Sequence, residues 1–340
     1  MKNNIVFGIS RICNSGPSNV MIDIINGLDR KKFSVYVVVF SKKSISDKSL
    51  IFKLSSLGCK LNFITNFKDA ITLKKHYKSS DIFHAHCIRS LFFFLVNRFK
   101  NTVVTSHCIP KNDWPLEKGL VLGSLIAAAH TLMIKKTSHV VSISKDMQQY
   151  FSSRHLILNG VDVHKFKYSP DIKIEYDYVF CGRLIERKQP AKFIEFIRSN
   201  PSLKGVILGD GPYRSIISSI VAENNLNIDM PGNVDNPEYY YKRSNAYFSS
   251  SLSEGMPLSV LEAACCGCIL HLSDIPPHNE IIDLIKTTDL PHHYLNGNSD
   301  IPLPSSSAIE KSLRAENASE VFSSKSMSNK YESIYKSMNS

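Results

Sequence analysis

No apolar run in this sequence is long enough to cross a bilayer. The longest, residues 119–134, has 16 residues and is interrupted by Ser124 and His130, short of the roughly 20 that a transmembrane helix needs. It reads as a buried helix, with a helix lying on a membrane surface as the lesser alternative. The apolar stretch at residues 5–9 is too short for the core of a secretory leader, so none is expected. Zinc spacing is also missing. Cys265 and Cys268 form a C-x-x-C, but no second cysteine pair or histidine pair accompanies it. Most of the eight cysteines lie within apolar runs and read as small core residues of a reducing compartment. There is no repeat at solenoid spacing and no nucleic-acid motif, so no nucleic-acid partner is expected.

What is present divides unevenly. The chain has 340 residues and a formal charge of +11, a length that suggests two domains. Residues 1–168 carry 25 Lys and Arg against 9 Asp and Glu, whereas residues 169–340 carry 16 against 21. A basic half suits nucleic acid, an anionic membrane or a phosphorylated acceptor, or is simply a solvated surface.

Apolar strand patterns recur at residues 5–9, 34–40, 60–64, 81–85, 102–107 and 139–143, with helical patterns between them. The alternation pauses at the polar stretch 159–171. It restarts at 176–181, 205–209, 226–230, 245–250 and 268–272. Continuous apolar strands alternating with helices imply parallel sheets covered on both faces. The expected fold is therefore α/β, with two doubly wound units facing across a cleft. The expected domains are residues 1–168, residues 169–322, and a C-terminal helix at 323–340 that packs back on the first. Ligands in such sheets bind beyond the carboxyl ends of the strands.

Two segments carry chemistry. In residues 249–268, Glu254 and Gly255 fall in a loop and 256–266 suits a helix closed by Gly267. A helix start at a sheet's carboxyl edge favours an anion such as phosphate, flanked here by Glu254 and Glu262. In residues 180–190, a strand end is followed by Gly182, Arg183 and Lys188. These cations suit phosphate oxygens and charge developing on a leaving diphosphate. Either segment alone also fits a capping glutamate or a polar turn.

Together they resemble glycosyltransferase family 4, whose architecture is GT-B, two Rossmann-like domains. Glu254 and Glu262 fit the family's pair of glutamates separated by seven intervening residues. Gly182, Arg183, Leu184 and Lys188 fit its GR-L-x-x-x-K element. Gly209, Asp210, Gly211 and Pro212 fit its glycine-rich turn, and residues 230–236 its PGNV-like turn. Asn159 to Asp162, His107 and the loop at Ser15 and Gly16 match more loosely, with SGPS in place of the commoner Gly-Gly pair.

The resemblance implies a retaining transferase that uses a UDP- or GDP-sugar and requires no cofactor or metal. The chain also lacks the Asp-x-Asp of metal-dependent transferases. By the same resemblance, Arg183, Lys188, Glu254 and His107 are the catalytic candidates. Gly16, Gly182, Asn233, Val234, Gly255, Met256, Pro257, Leu258 and Glu262 are the donor-binding ones. Within these, Glu262 serves the ribose, Glu254 the sugar, and Asn233 and Val234 the base, while Asp210 shapes its loop. The acceptor is a saccharide or a polyprenyl-diphosphate-linked sugar in bacterial surface polysaccharide or lipopolysaccharide assembly. The enzyme is expected in the cytoplasm, peripheral on the inner membrane face, where lysines meet anionic lipid. A sugar-nucleotide epimerase of the same architecture and a silent transferase partner are the alternatives. His84 and His86 show no convergent metal partner, Trp114 reads as a loop aromatic, 91–95 as core, and His271, Asp274, His278 and Glu280 as near the cleft, with Glu280 resembling the family's Glu before an Ile-Ile pair and structural in role.

Overall fold

The computed structural model describes residues 2–40, 48–78, 81–285, 293–294 and 307–338. They form two compact units, 1–160 with 324–340 and 161–323.

The first unit runs β1 (Asn3–Ile9), α1 (Gly16–Gly27), β2 (Phe33–Val39), α2 (Lys48–Ser56), β3 (Lys60–Phe63), α3 (Phe67–His76), β4 (Ile82–Ala85) and α4 (Ile88–Val96). It continues with β5 (Thr102–Ser106), α5 (Pro110–Lys118), α6 (Leu120–Lys135), β6 (His139–Ser142), α7 (Lys145–Phe151) and β7 (His155–Leu156). Its sheet is parallel in the order β3-β2-β1-β4-β5-β6-β7. Val35, Val37, Val38 and Val39 are buried, as expected of a β-branched run in a sheet covered on both faces.

The second unit runs β8 (Tyr176–Cys181), α8 (Pro190–Ser199), β9 (Gly205–Leu208), α9 (Arg214–Glu223), β10 (Ile228–Gly232), α10 (Pro237–Lys242) and β11 (Ser244–Ser249). Then come α11 (Leu258–Cys265), β12 (Ile269–Leu272), α12 (Pro276–Ile285), β13 (His293–Tyr294) and α13 (Ala308–Val321). Its parallel order is β10-β9-β8-β11-β12-β13. Aromatic packing of Tyr178, Phe180, Phe193 and Phe248 fills its core.

The last helix, α14 (Ser324–Ser337), belongs to the first unit. Met327, Tyr331, Ile334 and Tyr335 are buried, and Ser328 Oγ donates to the Ile24 carbonyl of α1 (2.8 Å). Gly27 makes this approach possible, because a Cβ there would lie 2.4 Å from that of Ser328.

The polar stretch after Gly160 joins the second unit. Phe166 is buried near Tyr241, and the Cys266 thiol donates to the Phe166 carbonyl.

Three local expectations need correction. Helix α6 is not buried as a whole: Gly123, Ala127 and Ile134 are its buried residues, while Leu120, Val121, Leu122, Leu125 and Leu132 are exposed. It packs closely on α5 through Gly123, where a Cβ would meet the Trp114 carbonyl at 2.4 Å, and no described element covers its outer face. Trp114 lies within α5 rather than in a loop, its indole N–H donating to His130 Nδ1 (3.1 Å). In α4, Leu91 and Phe94 are buried but Phe92 faces solvent.

Candidate active site

The chain order of the second sheet reverses between β8 and β11: the path from β8 leads outward through β9 and β10, while β11 opens the other side. Such a switch point leaves a crevice beyond the strand ends. The loop after β8 carries Gly182, Arg183 and, in a single 3-10 turn (Glu186–Lys188), Lys188. The loop after β11 carries Glu254, Gly255, Met256 and Pro257 and runs into α11 at Leu258.

The two loops are laced together. Ser250 Oγ donates to the Gln189 carbonyl (2.9 Å) and Leu252 N–H to the Arg187 carbonyl (2.9 Å). Lys188 Nζ donates to Glu254 Oε1, while Arg187 Nη1 lies 3.3 Å from Glu254 Oε2 and donates to the Ser253 carbonyl. The Glu254 side chain is 7% exposed. Burial alone would raise its pKa; Lys188 and then Arg187 outweigh burial and hold the carboxyl at about 2. Arg183 is exposed, and its guanidinium makes no hydrogen bond or ion pair among the described residues.

Glu262 lies in the second turn of α11, and Tyr241 donates to its Oε2 (3.2 Å). The Tyr247 hydroxyl lies 3.1 Å from the Cys181 carbonyl and 2.8 Å from Ser259 Oγ, tying the end of β8 to the first turn of α11. The first-turn N–H groups of a helix lack intrahelical acceptors, so this edge offers an anion peptide donors and two cations together. Asn233 and Val234 follow the edge strand β10, two strands from β8. Asp210 Oδ1 accepts from the Gly211 N–H (2.7 Å), within its own turn.

The other candidates belong to the first unit. Gly16 opens α1 after β1, with open space where a Cβ would stand. His107 follows β5, its Nε2 3.0 Å from His86 Nδ1. His86 follows β4. His84, buried in β4, bridges Tyr335 Oη (2.6 Å) and Thr105 Oγ1 (2.8 Å), which accounts for its polar atoms without a metal. One expectation around β12 changes: His271 is inside that strand, bonded to Tyr178 (3.1 Å). Glu280 is buried within α12. His278, also in α12, is buried; the charges of Glu254 and Lys188 both act on it. The three clustered cysteines are buried, with Cys268 Sγ donating to the Tyr241 carbonyl.

Two family models match adjoining parts of the chain. Residues 14–165 match Glycosyltransferase Family 4 and residues 164–288 match Glycosyl transferases group 1. The chain belongs to the group 1 glycosyltransferases of family 4. Among curated relatives, the transferase is 25% identical over 311 residues to the O-antigen biosynthesis glycosyltransferase WclY of Escherichia coli, covering 84% of each chain. It is 25% identical over 276 residues to the capsular polysaccharide biosynthesis glycosyltransferase CapH of Staphylococcus aureus, covering 77% of this chain and 70% of CapH. Among solved structures it superposes on Anabaena HepE in complex with UDP and glucose, with a TM-score of 0.78 at 16% identity, covering 98% and 100%. The shared fold is GT-B.

Sequence reasoning missed Arg187, Tyr241 and Arg214. Arg187 stands beside Lys188 in residues 180–190, so its charge was visible but not its reach to a residue 67 positions away. Arg214 braces the glycine-rich turn, donating to the carbonyls of Gly209 and Met230 (3.3 Å each). Nothing in its spacing marks it.

That turn depends on Gly209, whose φ is +131° and whose Cβ would lie 2.1 Å from the Gly182 carbonyl. Gly209→Ala therefore displaces the loop carrying Gly182 and Arg183. The transferase should lose several degrees of melting temperature in calorimetry, and an unchanged melting point would contradict the close approach.

The first unit should be sensitive to acid. Burial pushes His84 and His86 well below their ordinary range and His107 down to about 4. The unfolded chain titrates these rings near 6.5. Between pH 6.5 and about 4 it takes up protons that the folded unit refuses, so stability falls as pH drops, by up to about 1.4 kcal/mol per pH unit for each ring. Glu254 adds nothing there: its stabilisation is lost only below about 4.5, as pH falls toward 2. Melting temperature should decline from pH 7 to pH 5, and His107→Gln should flatten the slope.

Proposed function

We propose that this transferase moves a sugar, with retention at the anomeric carbon, from a UDP- or GDP-sugar to a saccharide or polyprenyl-diphosphate-linked acceptor during assembly of bacterial O-antigen or capsule. The observation that carries the reading is the Lys188–Glu254–Arg187 cluster at the β8–β11 switch point, with Glu262 in the helix that follows. The relatives WclY and CapH support the pathway class, and HepE, crystallised with UDP and glucose, supports the donor class.

On this reading Lys188 and Arg183 take the diphosphate oxygens, with the first peptide N–H groups of α11 and the small Gly182 beneath. The backbone of Gly255, Met256, Pro257 and Leu258 lines the sugar and phosphate, and Gly16 is a further candidate for contact with the diphosphate. Glu262 accepts from the ribose hydroxyls, oriented by Tyr241. Glu254 accepts from a hydroxyl of the sugar, and Asn233 and Val234 receive the base. The bond from the anomeric carbon to the diphosphate breaks with its electron pair on the leaving oxygen. The acceptor hydroxyl bonds to the carbon from the same face, and its proton passes to that oxygen. His107, uncharged, bonds the sugar or orients the acceptor hydroxyl.

The fixed cations and helix dipole meet the developing charge, so no divalent ion is needed. Turnover should continue in the presence of a chelator. Proton NMR of the product should show the donor's anomeric configuration; inversion sinks the mechanism. Donor incubated without acceptor should keep its sugar, whereas an epimerase would convert it.

The same reading places the enzyme at the cytoplasmic membrane face. No helix among the described residues is long and apolar enough to cross a membrane. The basic first half is suited to anionic lipid instead, so binding to anionic vesicles should weaken as salt rises.

A further inference from the structure

The outer face of the α5–α6 hairpin is apolar where a solvent-facing helix is usually charged. Val121, Leu125 and Leu132 share one side of α6 by their spacing of four and seven, and they are 79, 65 and 55% exposed. At the turn, Leu116 and Leu120 are exposed as well. An apolar surface of this extent marks a docking face.

The adjoining stripe of α6, including Ser124, Ala128 and Lys135, borders a groove of about 390 Å³ closed by Lys111 of α5 and Tyr150 of α7. Lys111 Nζ stands 4.9 Å and Lys135 Nζ 5.9 Å from the centre of the Tyr150 ring. Two ammonium groups from different helices thus converge on one ring. Neither forms an ion pair with a carboxylate among the described residues. Their mutual repulsion is relieved by an anion placed between them.

We propose that this groove seats a phosphate headgroup of an anionic bilayer, gripped by Lys111 and Lys135, while Val121, Leu125 and Leu132 enter the acyl boundary. Tyr150 then lies at headgroup level, where amphipathic rings are favoured. The inference rests on the membrane reading above and gives it a location. A second copy of the chain fits the face less well, since a symmetric contact would set these lysines against themselves.

The test is co-sedimentation with vesicles of phosphatidylcholine alone and of equal parts phosphatidylcholine and phosphatidylglycerol. Lys111→Gln with Lys135→Gln should weaken binding to the anionic vesicles about fivefold per lysine and leave the weak binding to phosphatidylcholine unchanged. Leu125→Ser with Leu132→Ser should weaken binding to both by about tenfold or more. Trp114, the chain's single tryptophan, lies in this hairpin, and its fluorescence should be quenched by brominated lipid. A UDP-induced rise in melting temperature equal to that of the parent chain shows that each variant is folded.

Anionic-vesicle binding that both variants leave intact overturns this location while sparing the membrane reading. A parent chain that binds neither vesicle overturns both. A dimer in solution that the leucine variant splits would assign the face to a second copy and overturn the proposal.

Discussion

Lys188→Ala should lower kcat/KM for sugar transfer by about 10²- to 10³-fold, the usual loss when a fixed donor of charge stabilisation is removed. Most of the loss belongs in kcat, because negative charge on the diphosphate is greatest as it departs. The variant should still fold. Glu254 keeps Arg187 (3.3 Å), although its carboxyl rises from about 2 once the Lys188 charge is gone. Lys188→Arg should not rescue, because the lysine stem packs along Gly182, where a Cβ would lie 3.5 Å from it, and a planar fork does not follow the same path. Glu254→Gln should likewise depress turnover more than nucleotide binding. Steady-state kinetics decide the matter: a kcat/KM within about threefold of the parent would remove Lys188 from the reaction.

Glu262→Ala should weaken UDP binding about 100-fold while changing kcat at saturating donor far less. A carboxylate accepting from two ribose hydroxyls loses charge-assisted bonds of about 1.5 kcal/mol or more each. Tyr241→Phe, which removes only the hydroxyl that donates to Glu262 Oε2, should weaken binding by a smaller factor of about three to ten. Thermal shift or calorimetric titration with UDP reads both. Equal losses from the two variants would mean that Glu262 acts through packing rather than through the ribose.

The order of these effects explains how much could be read from the sequence. Strands β1, β2, β8 and β11 were legible because buried parallel strands write themselves as continuous apolar runs. Strand β10 was displaced by two residues in the reading, since Pro231 and Gly232 look like a turn yet Gly232 still pairs with β9 across a register shift. Glu254, Glu262, Gly182 and Lys188 were legible as a spaced pattern. The contact that makes them a site was not, because Arg187 and Lys188 meet Glu254 across 66 to 67 positions. The outward face of α6 was illegible for a different reason. Hydropathy counts apolar residues, whereas burial depends on whether another element exists to cover them, and Gly123 directs only one side of α6 against α5.

On the proposed reading the donor nucleotide is held at the β8–β11 edge. Hydrogen exchange with and without UDP tests it most directly. UDP should slow exchange in residues 182–188 and 254–262, with little change at β12 and α13, and Glu262→Ala should abolish the protection at moderate UDP. Protection confined to other segments, with 182–188 and 254–262 exchanging as before, would contradict it.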